Sequence, residues 1–302
     1  MSNYDINYIN CKSIVHEIKQ EIKEGVNEFV EKYGWNPCLA IFSVGDEPAS
    51  KSYIKGKIKD CDECGIEVIL KEYYPHGYEN VRLLEDDLCK SIQDVARIGS
   101  VDGIIVQLPL PDGMNKSRII SCIPPNKDVD CFSRENVAKL YLGEPGLKPC
   151  TPAACIELLD RIKYDLTGKV VTVIGRSDLV GKPLAVMLTQ RNATVTLCHS
   201  KTQNLVSHCL DSDVIITAMG NPNVFKYSMI PTGSIVLDVG INRDENGKIC
   251  GDIKHSESMD LFLTKAKAVT PVPGGIGLMT RVMLLKNVLE AANNNMKVKE
   301  DE

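Results

Sequence analysis

Two stretches of this chain set residue types capable of chemistry at informative spacings. The first, residues 169–183, reads KVVTVIGRSDLVGKP. A buried-strand pattern runs to Gly175, a polar turn follows, and Gly181 and Pro183 open a helix. Backbone N–H groups at such a helix start form an anion site suited to a dinucleotide pyrophosphate. The spacing departs from the usual GxGxxG: Gly181 comes six positions after Gly175, not five. On this motif alone an ordinary strand-to-helix turn stays open. The second stretch, residues 193–201, reads ATVTLCHSK. NAD sites usually end this strand in a carboxylate that holds the ribose hydroxyls; here His199, Ser200 and Lys201 stand instead. A carboxylate would repel a 2′-phosphate, whereas a hydroxyl and cations accept one, and Arg176 adds a permanent positive charge. The pattern predicts NADP in preference to NAD. Read as a half-solvated loop residue, His199 would leave that choice to Arg176 and Ser200.

Other chemistry-bearing residues are sparser. Gln107 closes the apolar run GIIVQLP, where a polar side chain is costly unless it finds a partner. Tyr53 and Lys57 lie four apart in a helical stretch, so their side chains share one face. Cys61 and Cys64 form the one CxxC among twelve scattered cysteines, and no second pair completes a four-thiolate zinc site. Reduced thiols in a reducing cytosol are the expectation, with no metal.

The elements that must position these residues alternate in the manner of α/β proteins. Helix patterns cover 14–33, 48–64 and 79–98; strand patterns cover 38–44, 67–74 and 101–108. Residues 109–152 are rich in Pro, Gly, Asn and Asp and read as a long, functional loop. A helix at 153–163 leads into a second series with strands KVVTVIG, ATVTLCH, DVIITAMG, SIVLDVG and KAVTPV. Runs apolar on both faces predict parallel strands covered by helices, hence a doubly wound second domain. Residues 279–293 read as a helix returning to the first domain, and the tail KVKEDE as frayed.

The composition is that of a globular protein, with 43% hydrophobic and 25% charged residues over 302 positions. Aromatics at 5% and a net charge of -5, without a basic block, argue against nucleic acid or an acidic membrane as partner. The opening MSNYDINYINCKS has no basic or apolar signal region, and no run approaches the roughly 18 apolar residues of a membrane span. A cytoplasmic protein is expected.

Eight segments in order, SYIKGKIK, VDGIIVQLPLP, PNKDVDCF, KPCTP, GRSDLVGKP, ATVTLCHSKT, VLDVGIN and TPVPGGIGLMT, give this chain its identity at the family level. It resembles the bifunctional methylenetetrahydrofolate dehydrogenase/methenyltetrahydrofolate cyclohydrolases across essentially its whole length. The resemblance implies a folate-binding catalytic domain from 1–149 with 279–302, a Rossmann-like NADP-binding domain from 150–278, and a homodimer. It implies that Lys57 is the central catalytic residue, that Gln107 contacts and tunes it, and that Tyr53 packs on the substrate's ring. Asp130 would anchor the pterin, with a turn or helix-cap aspartate as the plain alternative, as for Asp128. Leu108, Pro273 and Gly274 would line the folate side. Gly175, Arg176, Ser177, Val180, Gly181, His199, Ser200, Ile241, Gly277 and Thr280 would face the cofactor.

The implied chemistry is coherent. Removing hydride from an N–CH2–N bridge leaves a cation shared by two nitrogens, so that step needs positioning more than a base. Hydrolysis of the electrophilic methenyl carbon needs water and managed protons, for which a lysine is useful where burial disfavours its charge. Three positions depart from the family pattern. Cys131 and Ala154 stand for glycine, and Leu278 for proline; Cys131 could shift the pterin anchor, and Leu278 the loop over the cofactor. A dehydrogenase lacking the hydrolase, another two-domain oxidoreductase and an inert NADP-binding module are the competing readings.

Overall fold

A computed structural model describes residues 7–222, 224–253, 260 and 263–301. The opening residues 1–6, read above as part of a segment without a secretory signal, lie outside the described residues. The chain divides into two compact units, residues 17–150 with 281–301, and residues 7–16 with 151–280.

In the first unit, α1 (Cys11–Tyr33) leads to a parallel three-stranded sheet of β1 (Cys38–Val44), β2 (Glu67–Tyr73) and β3 (Gly103–Val106), in the order β2-β1-β3. Ile41 aligns with Leu70 on one side and Ile105 on the other. Central β1 is apolar on both faces and wholly buried, as a covered parallel strand must be. Edge strand β2 is largely exposed and carries charges along its length. Between the strands run α2 (Pro48–Cys64) and α3 (Val81–Ala96). Helix α2 starts where the Glu47 carboxylate accepts from Ser50 N and Pro48 presets the first turn; it stops at Gly65, which takes φ 78°. Phe42, Leu84, Leu88, Ile92, Ile104 and Ile119 pack one face of the sheet.

Two expectations need correction. Residues 109–152 are not one loop: they hold α4 (Lys116–Ile120), α5 (Arg134–Leu142) and the start of α6 (Cys150–Arg161). Asn115 caps α4 by accepting from Arg118 N, Ser133 caps α5 by accepting from Asn136 N, and Gly143 ends α5 at φ 74°. The residues read as loop formers are therefore caps between short helices. Nor does the tail fray at residue 297, because helix α9 runs from Ile276 to Asp301. Its Val282, Leu285, Val288 and Ala292 are buried, and Lys32 pairs with Glu300 at 3.0 Å near its end.

In the second unit, β4 (Val170–Ile174), β5 (Thr194–Cys198), β6 (Val214–Thr217), β7 (Ile235–Asp238) and β10 (Ala268–Val269) form one parallel sheet in the order β10-β7-β6-β4-β5. Helices α6, α7 (Gly181–Gln190) and α8 (Leu205–Leu210) belong to it, and β8 (Asn242–Arg243) with β9 (Ile249–Cys250) makes an antiparallel hairpin. Near the amino end, Ile9 N donates to Val269 O at 2.8 Å, and Tyr8 bridges to Val269, which ties residues 7–16 to β10. The strand order reverses between β4 and β6, a topological switch point of the kind outside which α/β sheets bind ligands. No helix among the described residues is long and apolar enough to cross a membrane.

Candidate active site and cofactor cradle

In the first unit, α2 brings Lys57 and Tyr53 together. Lys57 is only 6% exposed, so its ammonium must find partners inside the protein. Its Nζ donates to Gln107 Oε1 at 3.1 Å and lies 5.2 Å from the centre of the Tyr53 ring. Gln107 sits one residue beyond β3, where its backbone N still donates to Phe42 O at 2.8 Å. Its amide is fixed by a 2.7 Å bond from Nε2 to Leu108 O, so its oxygen, not its nitrogen, faces Lys57. A polar residue at the end of an apolar strand thus has both halves of its amide partnered.

Asp130 completes this group. Its carboxyl is pushed above the ordinary carboxylate range by the protein packed around it; the Lys57 charge pulls the other way, Asp128 adds to the rise, and the Cys150 thiol opposes it. Cys150 Sγ lies 3.5 Å from Asp130 Oδ1 and 3.4 Å from Val129 O. Asn287 Nδ2, from α9, donates to Val129 O and Lys148 O, each at 2.8 Å. The turn carrying Asp130 is thereby held from two directions. Asp128 is a different kind of residue: its carboxylate accepts from Phe132 N, Ser133 N and Asn136 Nδ2, and all of it is buried in that work. The Tyr53 hydroxyl is pushed well above its usual range, first by burial and then by the Asp130 charge, so it stays protonated.

The second unit offers a cradle made of backbone. Gly175 follows β4 at φ 136°, and a Cβ built there would lie 2.1 Å from the carbonyl oxygen of Ala218, which follows β6. A Cβ on Gly181 would lie 1.8 Å from Gly175 O. Only glycine at both positions lets the turn close this tightly on itself and on β6. Ser177 Oγ accepts from Val180 N at 3.1 Å and shapes the turn into α7. Arg176 and Ser200 are exposed and His199 is half-buried. His199 Nδ1 accepts from Lys201 N at 3.1 Å, and its own N donates to Thr202 Oγ1 at 2.8 Å. This set fits a phosphorylated dinucleotide: a tight glycine turn at a helix start for pyrophosphate, and a guanidinium with hydroxyls for a further phosphate.

The remaining expected residues in this unit cluster about α9. The ideal Cβ of Gly277 lies 3.7 Å from Ile241 Cδ1, so these two are neighbours. Thr280 Oγ1 donates to Ile276 O at 3.0 Å and lies 3.3 Å from Thr151 Oγ1. Pro273 is exposed, and Gly274 takes φ 105° with Lys12 beside it. Ile241 follows an acidic knot. Asp238 accepts from Thr217 Oγ1 and from the backbone of Gly240, Asp252 and Ile253; Asp252 accepts from Met219 N, Asn221 N and Asn242 Nδ2. Burial pushes the Asp238 carboxyl up to about 6 despite those donors.

Of the three unusual positions, Cys131 is buried in the left-handed conformation at φ 59°, Ala154 is wholly buried in α6, and Leu278 donates its N to Gly275 O at 3.0 Å. Cys61 and Cys64 are both fully buried, and burial raises their thiols to about 12 and about 11, which disfavours the reactive thiolate. No group of three or more His, Cys, Asp or Glu among the described residues could hold a metal ion. Sequence reasoning passed over Cys150, Asn287, Asp60 and Arg281. All four lie in motifs or helices expected from the sequence, but their partners come from distant segments.

Comparison with known proteins bears on both units. The model of the tetrahydrofolate dehydrogenase/cyclohydrolase catalytic domain matches residues 9–130, and that of the NAD(P)-binding domain matches residues 149–296. A protein of Acetivibrio thermocellus named bifunctional protein FolD is 43% identical over 291 residues, covering 96% of this chain and 98% of its own. Its namesake from Polaromonas naphthalenivorans is 45% identical over 284 residues, covering 94% and 97%. Among solved structures, the bifunctional enzyme FolD of Campylobacter jejuni aligns with a TM-score of 0.87 at 42% identity, covering 94% of this chain and 98% of its own. The Trypanosoma brucei methylenetetrahydrofolate dehydrogenase-cyclohydrolase, complexed with NADP cofactor and an inhibitor, aligns at 0.88 with 31% identity, covering 96% and 98%.

Proposed function

The chain belongs to the tetrahydrofolate dehydrogenase/cyclohydrolase family, and we propose that it oxidises 5,10-methylenetetrahydrofolate with NADP and then hydrolyses the 5,10-methenyl product to 10-formyltetrahydrofolate. The observation that carries this is the buried Lys57 ammonium bonded to Gln107 and facing Asp130 in a chain of this family. The competing inert module gives no reason to bury a lysine against an amide oxygen.

NADP, held in the cradle after β4, would supply the hydride acceptor for the first step. The protein's part in that step is orientation: Asp130 offers two acceptor oxygens to the amino and ring N–H of the pterin, and Tyr53 packs on the substrate's ring. Those N–H donors favour the ionised carboxyl, opposing the burial that raises it. Leu108, Pro273 and Gly274 complete the folate side. In the second step water adds to the methenyl carbon and gives up a proton to Lys57, while Gln107 fixes the direction of the lysine Nζ. The bond from that carbon to N5 then breaks as N5 takes up a proton, which leaves the formyl group on N10. The two steps share one carbon, which is why one set of side chains suffices.

Gly175, Ser177, Val180 and Gly181 would hold the pyrophosphate, and Arg176, His199 and Ser200 the 2′-phosphate. Ile241, Gly277 and Thr280 would border the nicotinamide. We further assign residues 1–149 with 279–302 to folate binding and 150–278 to the cofactor. A cytoplasmic homodimer with no nucleic acid or membrane partner accords with the acidic, patch-free composition and with the family resemblance.

The test uses purified protein with 5,10-methylenetetrahydrofolate, following NADPH and methenyl absorbance with NADP or NAD. Turnover with NADP and little accumulating methenyl intermediate is the expected result. Folded protein that binds NADP and reduces neither cofactor would remove the enzyme assignment.

A further inference from the structure

The buried face of α2 carries a second charge one turn beyond Lys57. Asp60 is 3% exposed, and two cations close on its carboxylate. Lys19 Nζ, from α1, donates to Oδ1 at 2.5 Å and also reaches Glu63 Oε2 at 2.6 Å. Arg281 Nε, from α9, lies 2.8 Å from Oδ2 as an ionic contact, without the geometry of a directed hydrogen bond. The guanidinium lies directly over the α2 backbone: a Cβ built on Gly56 would meet Arg281 Nη1 at 2.0 Å. A glycine next to Lys57 is therefore what admits Arg281 against this helix.

This arrangement matters because Lys57 and Asp60 are three residues apart on one buried helix face, within reach of each other. Lysine is a point charge on a flexible stem. A carboxylate lacking other partners would be a stronger acceptor for it than an amide oxygen. Yet Lys57 Nζ is found on Gln107. We propose that Arg281 is a positioning residue for the catalytic lysine: with Lys19 it engages the Asp60 carboxylate, which would otherwise draw the Lys57 ammonium off Gln107 and hold it charged.

The inference rests on the proposed role of Lys57 in the hydrolytic step. The groups around Lys57 are Tyr53 and Cys61 from its own helix, Gln107 from the end of β3, Asp130 from the turn before α5, and Cys150 from α6, with Asp60 and its partner Arg281 three residues along α2. Asp130 is meant for the substrate, and Gln107 is neutral. The thiols of Cys61 and Cys150 are raised by burial and stay neutral, as does the Tyr53 hydroxyl. Asp60 is the remaining acidic group on this list, and Arg281 and Lys19 are its partners. Loss of Arg281 removes a nearby positive charge and half the cover of that carboxylate, and both changes favour a charged Lys57.

The test measures the cyclohydrolase rate against pH for full-length native protein, Arg281→Met, Arg281→Lys and Arg281→Met combined with Asp60→Asn. NADP binding and melting temperature serve as folding controls. For Arg281→Met we expect kcat near neutral pH to fall about tenfold and the midpoint of the pH–rate profile to rise by about one unit, with KM little changed. Adding Asp60→Asn should return the midpoint to the native position, and Arg281→Lys should lie between. A native midpoint in folded Arg281→Met, or a midpoint that stays displaced in the double variant, would overturn the proposal and leave the Lys57 assignment intact. If Arg281→Met does not fold, the same comparison is read from Arg281→Lys with and without Asp60→Asn. A native protein without turnover would instead end the proposed function, and this inference with it.

Discussion

The two candidate functional regions are built from opposite materials. The group around Lys57 is made of buried side chains whose charges are answered by residues from other segments: Gln107 by its oxygen, Asp130 by its field, Asp60 by two cations. The cradle after β4 is made of backbone, with glycines where a Cβ would strike a carbonyl and with its polar side chains largely exposed. The difference predicts where each is fragile. Truncating a side chain in the first region should cost chemistry and leave the fold. Adding a single carbon in the second should cost the fold and the cofactor together.

The largest contrast to test is Lys57→Met against the native protein. Removing a proton-exchanging group typically costs about 10²–10⁴-fold in rate. We expect that loss in methenyl hydrolysis, with NADP affinity and melting temperature close to native. A variant that loses hydrolysis only together with NADP binding would show that the two regions are not separable in this way.

Gly175→Ala probes the other side. At φ 136° an alanine is strained whatever the space, and its Cβ would meet a backbone carbonyl that cannot rotate away. Strain and overpacking together should cost about 2–4 kcal/mol of stability. The midpoint of denaturant unfolding should fall, and NADP titration should give much weaker binding even in the folded fraction. An alanine variant that melts and binds as the native protein does would mean that the turn relaxes at no cost.

These two regions also differ in how legible they were in the sequence. The cradle is local: strand, turn and helix start fall within the fifteen residues 169–183, so its motif is visible in the sequence, although an ordinary strand-to-helix turn stays open on that motif alone. The fold was legible for the same reason, since β1 and β4 announce themselves as short runs that are apolar on both faces. The Lys57 group is assembled across the chain. Its lysine looks like its neighbours Lys55 and Lys59, which are exposed, and only burial distinguishes it. The pairing of Asp60 with Arg281 and the hold of Asn287 on the Asp130 turn join residues far apart in sequence, with no spacing rule to reveal them. The short helices of residues 109–152 were missed because Ser, Asn and Gly serve equally as loop formers and as caps.

A smaller effect sharpens the reading of the cradle's exposed side chains. Arg176→Ala should raise KM for NADP about tenfold while leaving KM for NAD nearly unchanged, since a charge-assisted contact to phosphate is worth about 1.5–3 kcal/mol and the exposed setting reduces it. The loss should shrink at high salt, because an exposed pair is screened. Equal losses for both cofactors would move Arg176 from the 2′-phosphate to the pyrophosphate, or to the shape of the turn.

The smallest effect lies at Cys131, where the chain departs from the family's glycine. Cys131 takes φ 59° and is 1% exposed, so it carries a backbone penalty and a packing gain at once. The left-handed conformation costs a residue with a side chain about 1–2 kcal/mol. Burial of the small apolar side chain returns about 1 kcal/mol, and a cysteine restricts the unfolded chain more than glycine by about 0.5–1 kcal/mol. These contributions nearly cancel, so Cys131→Gly should change stability by less than about 1 kcal/mol, a shift of a few degrees in melting temperature. Asp130 should keep its place in the variant, because Cys150 lies against its carboxyl and Asn287 holds Val129 beside it. The KM for the folate should therefore stay within about threefold of native, below the roughly tenfold that one lost contact of 1.4 kcal/mol would produce. A larger rise would show that Cys131, through the turn it closes, sets the angle at which Asp130 meets the pterin, and that the side-chain region depends on a backbone position as strictly as the cradle does.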